Sequence, residues 1–98
     1  FSTSSQDSYL VPFDAKIYPN PASINSTVMF SGNWDHPLTI RIVTMDGKLL
    51  GSRILNSHYR NTSLAMADLM KPEARQGICF MVLTANDKIK SIPFMWIQ

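Results

Sequence analysis

The sequence is short of the residues from which catalytic and metal sites are built. It contains one cysteine, Cys79, and two histidines, His36 and His58. A single cysteine cannot form an internal disulfide, and with two distant histidines it does not make a zinc cluster. There is also no DxDxDG calcium loop and no glycine-rich phosphate loop. We therefore expect no catalytic site, no metal and no cofactor.

Charged residues are also few. They make up 16% of the chain, and the formal net charge is +2. The Lys and Arg residues are spread along the sequence without forming a run. A nucleic-acid-binding domain usually concentrates its basic residues in one segment or on one face. The sequence therefore argues against a nucleic-acid partner.

Long helical patterns are missing, and short β-type segments take their place. Leu38 to Met45 alternates with a period of two, which predicts a half-buried strand. Asp46-Gly47 follows as a hairpin signal of type I′, in which both turn residues have positive φ. Gly77 to Thr84 is almost continuously apolar, which predicts a central strand covered on both faces. Ile89 to Ile97 predicts a last strand, and Pro93 marks it as an edge strand because proline lacks a backbone donor.

These segments predict an all-β fold. About seven short strands separated by turn signals, in 98 residues, are typical of a β-sandwich. The first strand is expected to end at Tyr18, because Pro19 and Pro21 cannot continue a central ladder and favour a rigid turn. Residues 1–14 begin with Ser, Thr and Gln, which is typical of a linker. The folded domain is predicted to comprise residues 15–98.

The two tryptophans bear on an alternative function. Trp96 shares a spacing of two with Ile92 and Phe94, which predicts packing in the core or at an edge. Trp34 lies in a loop, and we interpret it as a lid on the sandwich end rather than as an exposed ring. An exposed Trp34 would stack on sugars, so the alternative is a carbohydrate-binding or adhesive accessory sandwich of a secreted protein. Cys79, in the middle of a strand, is expected to be a buried packing group.

Three motifs resemble, in their order, those of one protein family. The segment from Ile17 to Ser23 is similar to the "YPNPA" opening of the C-terminal sorting domains of the type IX (Por) secretion system of Bacteroidetes. Met45 to Leu50 resembles their D-x-G-K hairpin. Leu69 and then Gly77 to Val82 resemble their L-x-x-G strand, and Lys88 to Ile97 lies where their terminal strand lies. The similarity covers about residues 15–98.

The resemblance implies an immunoglobulin-like sandwich of about seven antiparallel strands that serves as a non-catalytic address for an upstream passenger. It implies recognition by the outer-membrane translocon and its shuttle barrel, a route through the periplasm to the cell surface, and removal of the domain by a cell-surface sortase in ordinary cargo. The residues to which it assigns recognition or sorting are Tyr18, Pro19, Asn20, Pro21, Asp46, Gly47, Lys48, Gly77, Lys88, Lys90, Ile97 and Gln98.

Three departures from the family pattern lead to a further hypothesis. Met70 to Gln76 is longer than the usual connection before Gly77, Cys79 stands where an aromatic residue is common, and the chain ends Phe94 to Gln98 without a basic residue. We infer a domain that is retained as a working part of a surface component instead of being cleaved. The edge strand Lys88 to Gln98 is predicted to carry most of the recognition, through addition of a partner strand.

Overall fold

The computed structural model describes residues 13–32, 34, 37–56, 62–71 and 74–97. The strands are β1 (Phe13–Tyr18), β2 (Thr27–Gly32), β3 (Leu38–Thr44), β4 (Leu49–Leu55), β5 (Thr62–Ala65), β6 (Gly77–Ala85) and β7 (Lys88–Trp96). A single 3₁₀ turn, Met66–Asp68, follows β5. Within these ranges no helix is long and apolar enough to cross a membrane. β1 begins inside the segment assigned to the linker, and the division into linker and domain stays a prediction.

The strands form two sheets. One has the order β1-β2-β5 and the other the order β4-β3-β6-β7, and the paired strands are antiparallel. β4 joins the sheet of β3, as strand C′ does in variable-type immunoglobulin domains. The prediction of an all-β, immunoglobulin-like sandwich of about seven antiparallel strands is confirmed.

Alternation along the strands builds the core between the two sheets. In β3, Leu38, Ile40 and Ile42 are fully buried, whereas the residues between them face outward. Phe30 in β2, on the opposite sheet, belongs to the same core cluster and is also fully buried. Burial of each such side chain stabilises the fold by about 1.5–3 kcal/mol. The predicted period of two in β3 is confirmed.

β6 differs from the strand that was predicted. It does lie inside its sheet, between β3 and β7, but only one of its faces is buried, the face that includes Cys79, Met81 and Leu83. Ile78, on the other face, is 45% exposed. The expectation of cover on both faces was wrong, because no described element packs on the outer face of the four-stranded sheet. The outward residues are shielded by cross-strand neighbours such as Pro93, which lies opposite Phe80.

The hairpin between β3 and β4 forms with a turn other than the predicted one. Gly47 has a φ of +89°, but Asp46 does not have positive φ, so the type I′ assignment was wrong. The Gly47 N–H donates to Thr44 O at 3.0 Å, and the Thr44 N–H donates to Lys48 O at 2.9 Å. Met45 adds a third loop residue, and this is the loop in which a type I turn is followed by a left-handed glycine.

Candidate functional site: the motif end of the sandwich

Motifs that lie far apart in the sequence meet at one end of the sandwich. Gly77, the first residue of β6, pairs with Trp96, the last residue of β7. Two residues further along β6, Cys79 pairs with Thr44, where the hairpin begins. Trp96 in turn forms a parallel bridge with Ala22, next to the proline-containing corner. We call this region the motif end, and it comprises residues 18–26, 44–51, 66–71, 74–79 and 95–97.

The corner that follows β1 is hydrogen-bonded directly to the end of β7. The Ala22 N–H donates to Met95 O at 2.7 Å, and the Ile97 N–H donates to Ala22 O at 2.8 Å. Ala22 is fully buried. Because β1 and β7 belong to different sheets, this pair of bonds ties the two sheets together at their edges. We call it the clasp.

A buried serine holds the corner in shape. Ser26 is 1% exposed. Its hydroxyl donates to Pro19 O at 3.0 Å and accepts the Ser23 N–H at 2.9 Å, and its carbonyl accepts the Met66 N–H at 2.9 Å. The Tyr18–Pro19 and Asn20–Pro21 peptide bonds are both cis. No sequence pattern points to Ser26, because a single serine in a polar loop has no periodic signal.

The four motif residues of the corner are exposed. Tyr18, Pro19, Asn20 and Pro21 all face outward, and Tyr18 is 52% exposed. Beside them runs a groove of about 440 Å³ between β1 and β7, whose walls include Tyr18, Asn20 and Pro93. The corner therefore has a fixed backbone and accessible side chains.

Only part of the outer edge of β7 is unpaired. Alternate residues of a strand point their backbone groups to the same side, so Ile89, Ser91 and Pro93 face the outer edge together with Met95 and Ile97. In the clasp, Met95 O and the Ile97 N–H are already hydrogen-bonded. Pro93 has no backbone N–H that could be left unpaired at this edge. Pro93 thus lies on an edge strand, as predicted. Among the described residues, the open stretch of this edge is Ile89 to Pro93.

Lys88 and Lys90 lie away from the other motif residues. Lys88 pairs with Ala85 across the hairpin that precedes β7, which places it about 27 Å from Trp96 along the strand. Lys90 Nζ lies 3.3 Å from Asp14 Oδ1. Both side chains of this ion pair are partly exposed, so the pair contributes at most about 1 kcal/mol. The pair lies beside the first residues of β1 and the first residues of β7.

The hairpin carboxylate is engaged within its own turn. The Thr44 hydroxyl donates to Asp46 Oδ1 and accepts the Lys48 N–H at 3.0 Å. This hydroxyl, followed by backbone N–H groups of the turn, holds the pKa of Asp46 below its ordinary value. Asp46 is therefore ionised at neutral pH.

Gly51 marks another close approach at the motif end. A Cβ atom at Gly51 would lie 1.6 Å from Leu69 O, so only glycine fits against this backbone. The Lys71 N–H donates to Leu50 O at 3.1 Å and continues the contact. The sequence motifs include Gly47 and Gly77 but not Gly51, because the partner of Gly51 is distant along the chain.

The fold thus brings together the corner Tyr18 to Pro21, the hairpin Asp46 to Lys48, Gly77 and Ile97. Comparison with known families bears on this region directly. The family model of the secretion system C-terminal sorting domain matches residues 16–94. This chain belongs to that family. The matched range of the sorting domain includes the corner, the hairpin and nearly all of β6 and β7. No curated protein and no solved structure matches the chain.

Membership defines what the sorting domain does in general terms. The family is non-catalytic. Its members are C-terminal sorting signals that interact with the type IX secretion machinery and direct export to the cell surface across the outer membrane.

The remaining candidate residues that the structure describes do not form a second site. Trp34 is 5% exposed, and its Nε1 donates to Asn56 O at 3.2 Å at the end opposite the motifs. Trp34 is therefore the predicted lid, and the carbohydrate-binding alternative is not favoured. Cys79 is buried, as predicted, and burial raises the pKa of its thiol. Among the described residues no three His, Cys, Asp or Glu side chains are grouped to hold a metal. His36, His58 and Gln98 lie outside the described residues.

Proposed function

We propose that this sorting domain is a non-catalytic C-terminal signal read by the type IX outer-membrane translocon and its shuttle barrel, which carry an upstream passenger from the periplasm to the cell surface. Family membership carries the proposal. The geometry of the motif end supports it, because a receptor contacts residues scattered along a sequence only when the fold collects them on one surface.

The edge of β7 supports strand addition as the mode of recognition. A sheet edge offers unpaired N–H and C=O groups to an extended segment of a partner. Among the described residues, the stretch Ile89 to Pro93 has no backbone partner at this edge, and the groove beside it leads to Tyr18 and Asn20. A strand added at this edge would reach the exposed corner at the same time.

A reporter fusion tests the proposal. Residues 13–98, which keep the buried Phe13, are fused behind a periplasmic reporter in a cell with a type IX system. We expect the reporter at the cell surface, whereas the reporter alone remains in the periplasm. Retention of the folded fusion in the periplasm would reject the proposal. Deletion of Ile89 to Gln98 is expected to abolish export, but it also removes buried Phe94 and Trp96, so a milder variant is required.

Lys88→Ala combined with Lys90→Ala is that milder variant. We expect reduced export with an intact fold, because Lys88 is exposed and the ion pair of Lys90 contributes little. Asp14→Ala is the matched control, since it removes the same ion pair and leaves both lysines. Export is measured from surface reporter, and folding from thermal unfolding. Normal export of the double variant would assign recognition to the motif end and not to the start of β7.

The departures from the family pattern support retention of the domain in a surface component, without removal by the cell-surface sortase. The longer connection between Met70 and Gln76 is the main one, since it adds surface at the motif end. Mass spectrometry of the mature surface protein tests this part. A C-terminus that lacks residues 15–98 would refute retention.

A further inference from the structure

A second groove, of about 500 Å³, lies at the motif end between the hairpin and the segment that leads into β6. Three cationic side chains line it, those of Lys48, Lys71 and Arg75. All three residues are exposed. Among the described residues Asp46 is the one carboxylate in its lining. We call this feature the basic groove.

The charge of the basic groove is largely uncompensated within the described part of the chain. The salt bridge that the described residues do form joins Lys90 to Asp14, which lie away from the groove. Asp46 already accepts a hydrogen bond from the Thr44 hydroxyl, and Lys48 is the weakest of the influences on its pKa. Among the residues that the structure describes, none forms a salt bridge with Lys48, Lys71 or Arg75.

The walls of the basic groove are apolar as well as cationic. Met45 is 71% exposed and Ile78 is 45% exposed, and both line it together with buried Leu50. A small, fully hydrated anion would leave these apolar side chains in contact with water. A ligand that carries carboxylates and apolar side chains together satisfies both parts of the lining.

We propose that the basic groove binds an acidic peptide segment of a partner protein, with carboxylates on Lys71 and Arg75 and an apolar side chain against Met45 and Ile78. The groove adjoins β4, an edge strand, which leaves room for an extended segment. Lys71 and Arg75 belong to the connection from Met70 to Gln76, which leads into β6. The binding proposed here does not depend on the proposed function.

Titration of the 98-residue chain with the peptide acetyl-Glu-Leu-Glu-Leu-Glu-amide tests the proposal. We expect NMR shift changes confined to residues of the basic groove, and an affinity that falls as salt is raised. Lys71→Gln combined with Arg75→Gln should weaken binding about tenfold or more, because charge-assisted hydrogen bonds are lost. Arg53→Gln, which removes an exposed charge outside the groove, should leave the affinity unchanged.

Two further probes separate the acidic peptide from other ligands. The peptide acetyl-Gln-Leu-Gln-Leu-Gln-amide should bind far more weakly, and inorganic phosphate should not displace the acidic peptide at equal ionic strength. Equal binding of the Gln peptide, displacement by phosphate, or full affinity in the double variant would overturn the proposal. The peptide and salt comparisons use the native chain, so they decide the matter even if the double variant does not fold. A fusion that is exported normally but binds no peptide would separate this proposal from the sorting function.

Discussion

The two ends of the sandwich are closed by different means. At the motif end main-chain groups close it, since Ala22 bonds to β7 and Gly51 lies against the backbone of Leu69. At the other end a side chain closes it, since Trp34 is buried and its indole donates to Asn56 O. Closure by the main chain requires particular residue types, such as proline at a corner and glycine at a close contact. Closure by a side chain requires mainly volume.

This difference accounts for the position of the recognisable motifs. Tyr18 to Ala22 is a recognisable sequence because its backbone must turn and then bond to the last strand. The same residues are candidates for recognition by the export machinery. Substitutions that disturb the fold at the motif end must therefore be distinguished from those that remove a contact with a partner. Three comparisons of stability identify substitutions of the first kind.

Gly51→Ala is expected to have the largest effect. Its Cβ would meet Leu69 O at 1.6 Å, and both groups belong to the main chain. We expect a loss of about 3 kcal/mol or more in the free energy of unfolding, measured in urea. Gly47→Ala is the matched control at the same end. No heavy atom lies within 4 Å of its Cβ position, so only its left-handed backbone conformation costs energy, about 1–2 kcal/mol. Equal losses would contradict the close approach at Gly51.

Ser26→Ala should have an intermediate effect. It leaves Pro19 O and the Ser23 N–H without the bonds that the hydroxyl makes, and we expect a loss of about 1–3 kcal/mol. Hydrogen exchange of the Ile97 N–H should also become faster, since the corner holds the clasp. Ser91→Ala, an exposed change on β7, should alter stability by less than about 0.5 kcal/mol. Unchanged exchange at Ile97 in the Ser26 variant would show that the clasp does not need the serine.

The two tryptophans give the finest comparison between the ends. Trp34 Nε1 has a partner in Asn56 O at 3.2 Å, whereas the buried Nε1 of Trp96 has none among the described residues. Each change to phenylalanine removes similar apolar volume, but only Trp34→Phe breaks a hydrogen bond. We expect Trp34→Phe to cost about 1 kcal/mol more than Trp96→Phe in thermal or urea unfolding. The reverse order would contradict the difference in closure.

Local pattern predicts much of this fold and fails where distant segments meet. β3 and β7 were predicted to within a residue or so at either end, because their alternation is continuous, and proline fixes the end of β1 at Tyr18. The hairpin signal at Asp46-Gly47 indicates that a strand follows, but it does not give the length of β4. β4 extends to Leu55, where exposed neighbours such as Arg53 and Ile54 break the alternation. β5 has four residues, too few for a clear period.

The candidate site shows the same limit. Each of its motif residues can be identified in the sequence. The predicted length of the last strand also places Lys88 far from Ile97. The meeting of the other motif residues at one end depends on pairings such as Gly77 with Trp96 and on the bridge between Ala22 and Trp96. Ser26 and Gly51 owe their roles to these long-range contacts, so no spacing along the sequence reveals them.

The parallel arrangement of β1 and β7 has a mechanical consequence. Asp14, near the start of β1, contacts Lys90 near the start of β7, and Ala22, which follows β1, bridges Trp96 at the end of β7. Together these two contacts show that the strands run in the same direction. Phe13 and Ile97, the first and last residues that the structure describes, therefore lie near opposite ends of the body. A pulling force between these two points acts along the strands and loads the hydrogen bonds of each ladder together, not one after another.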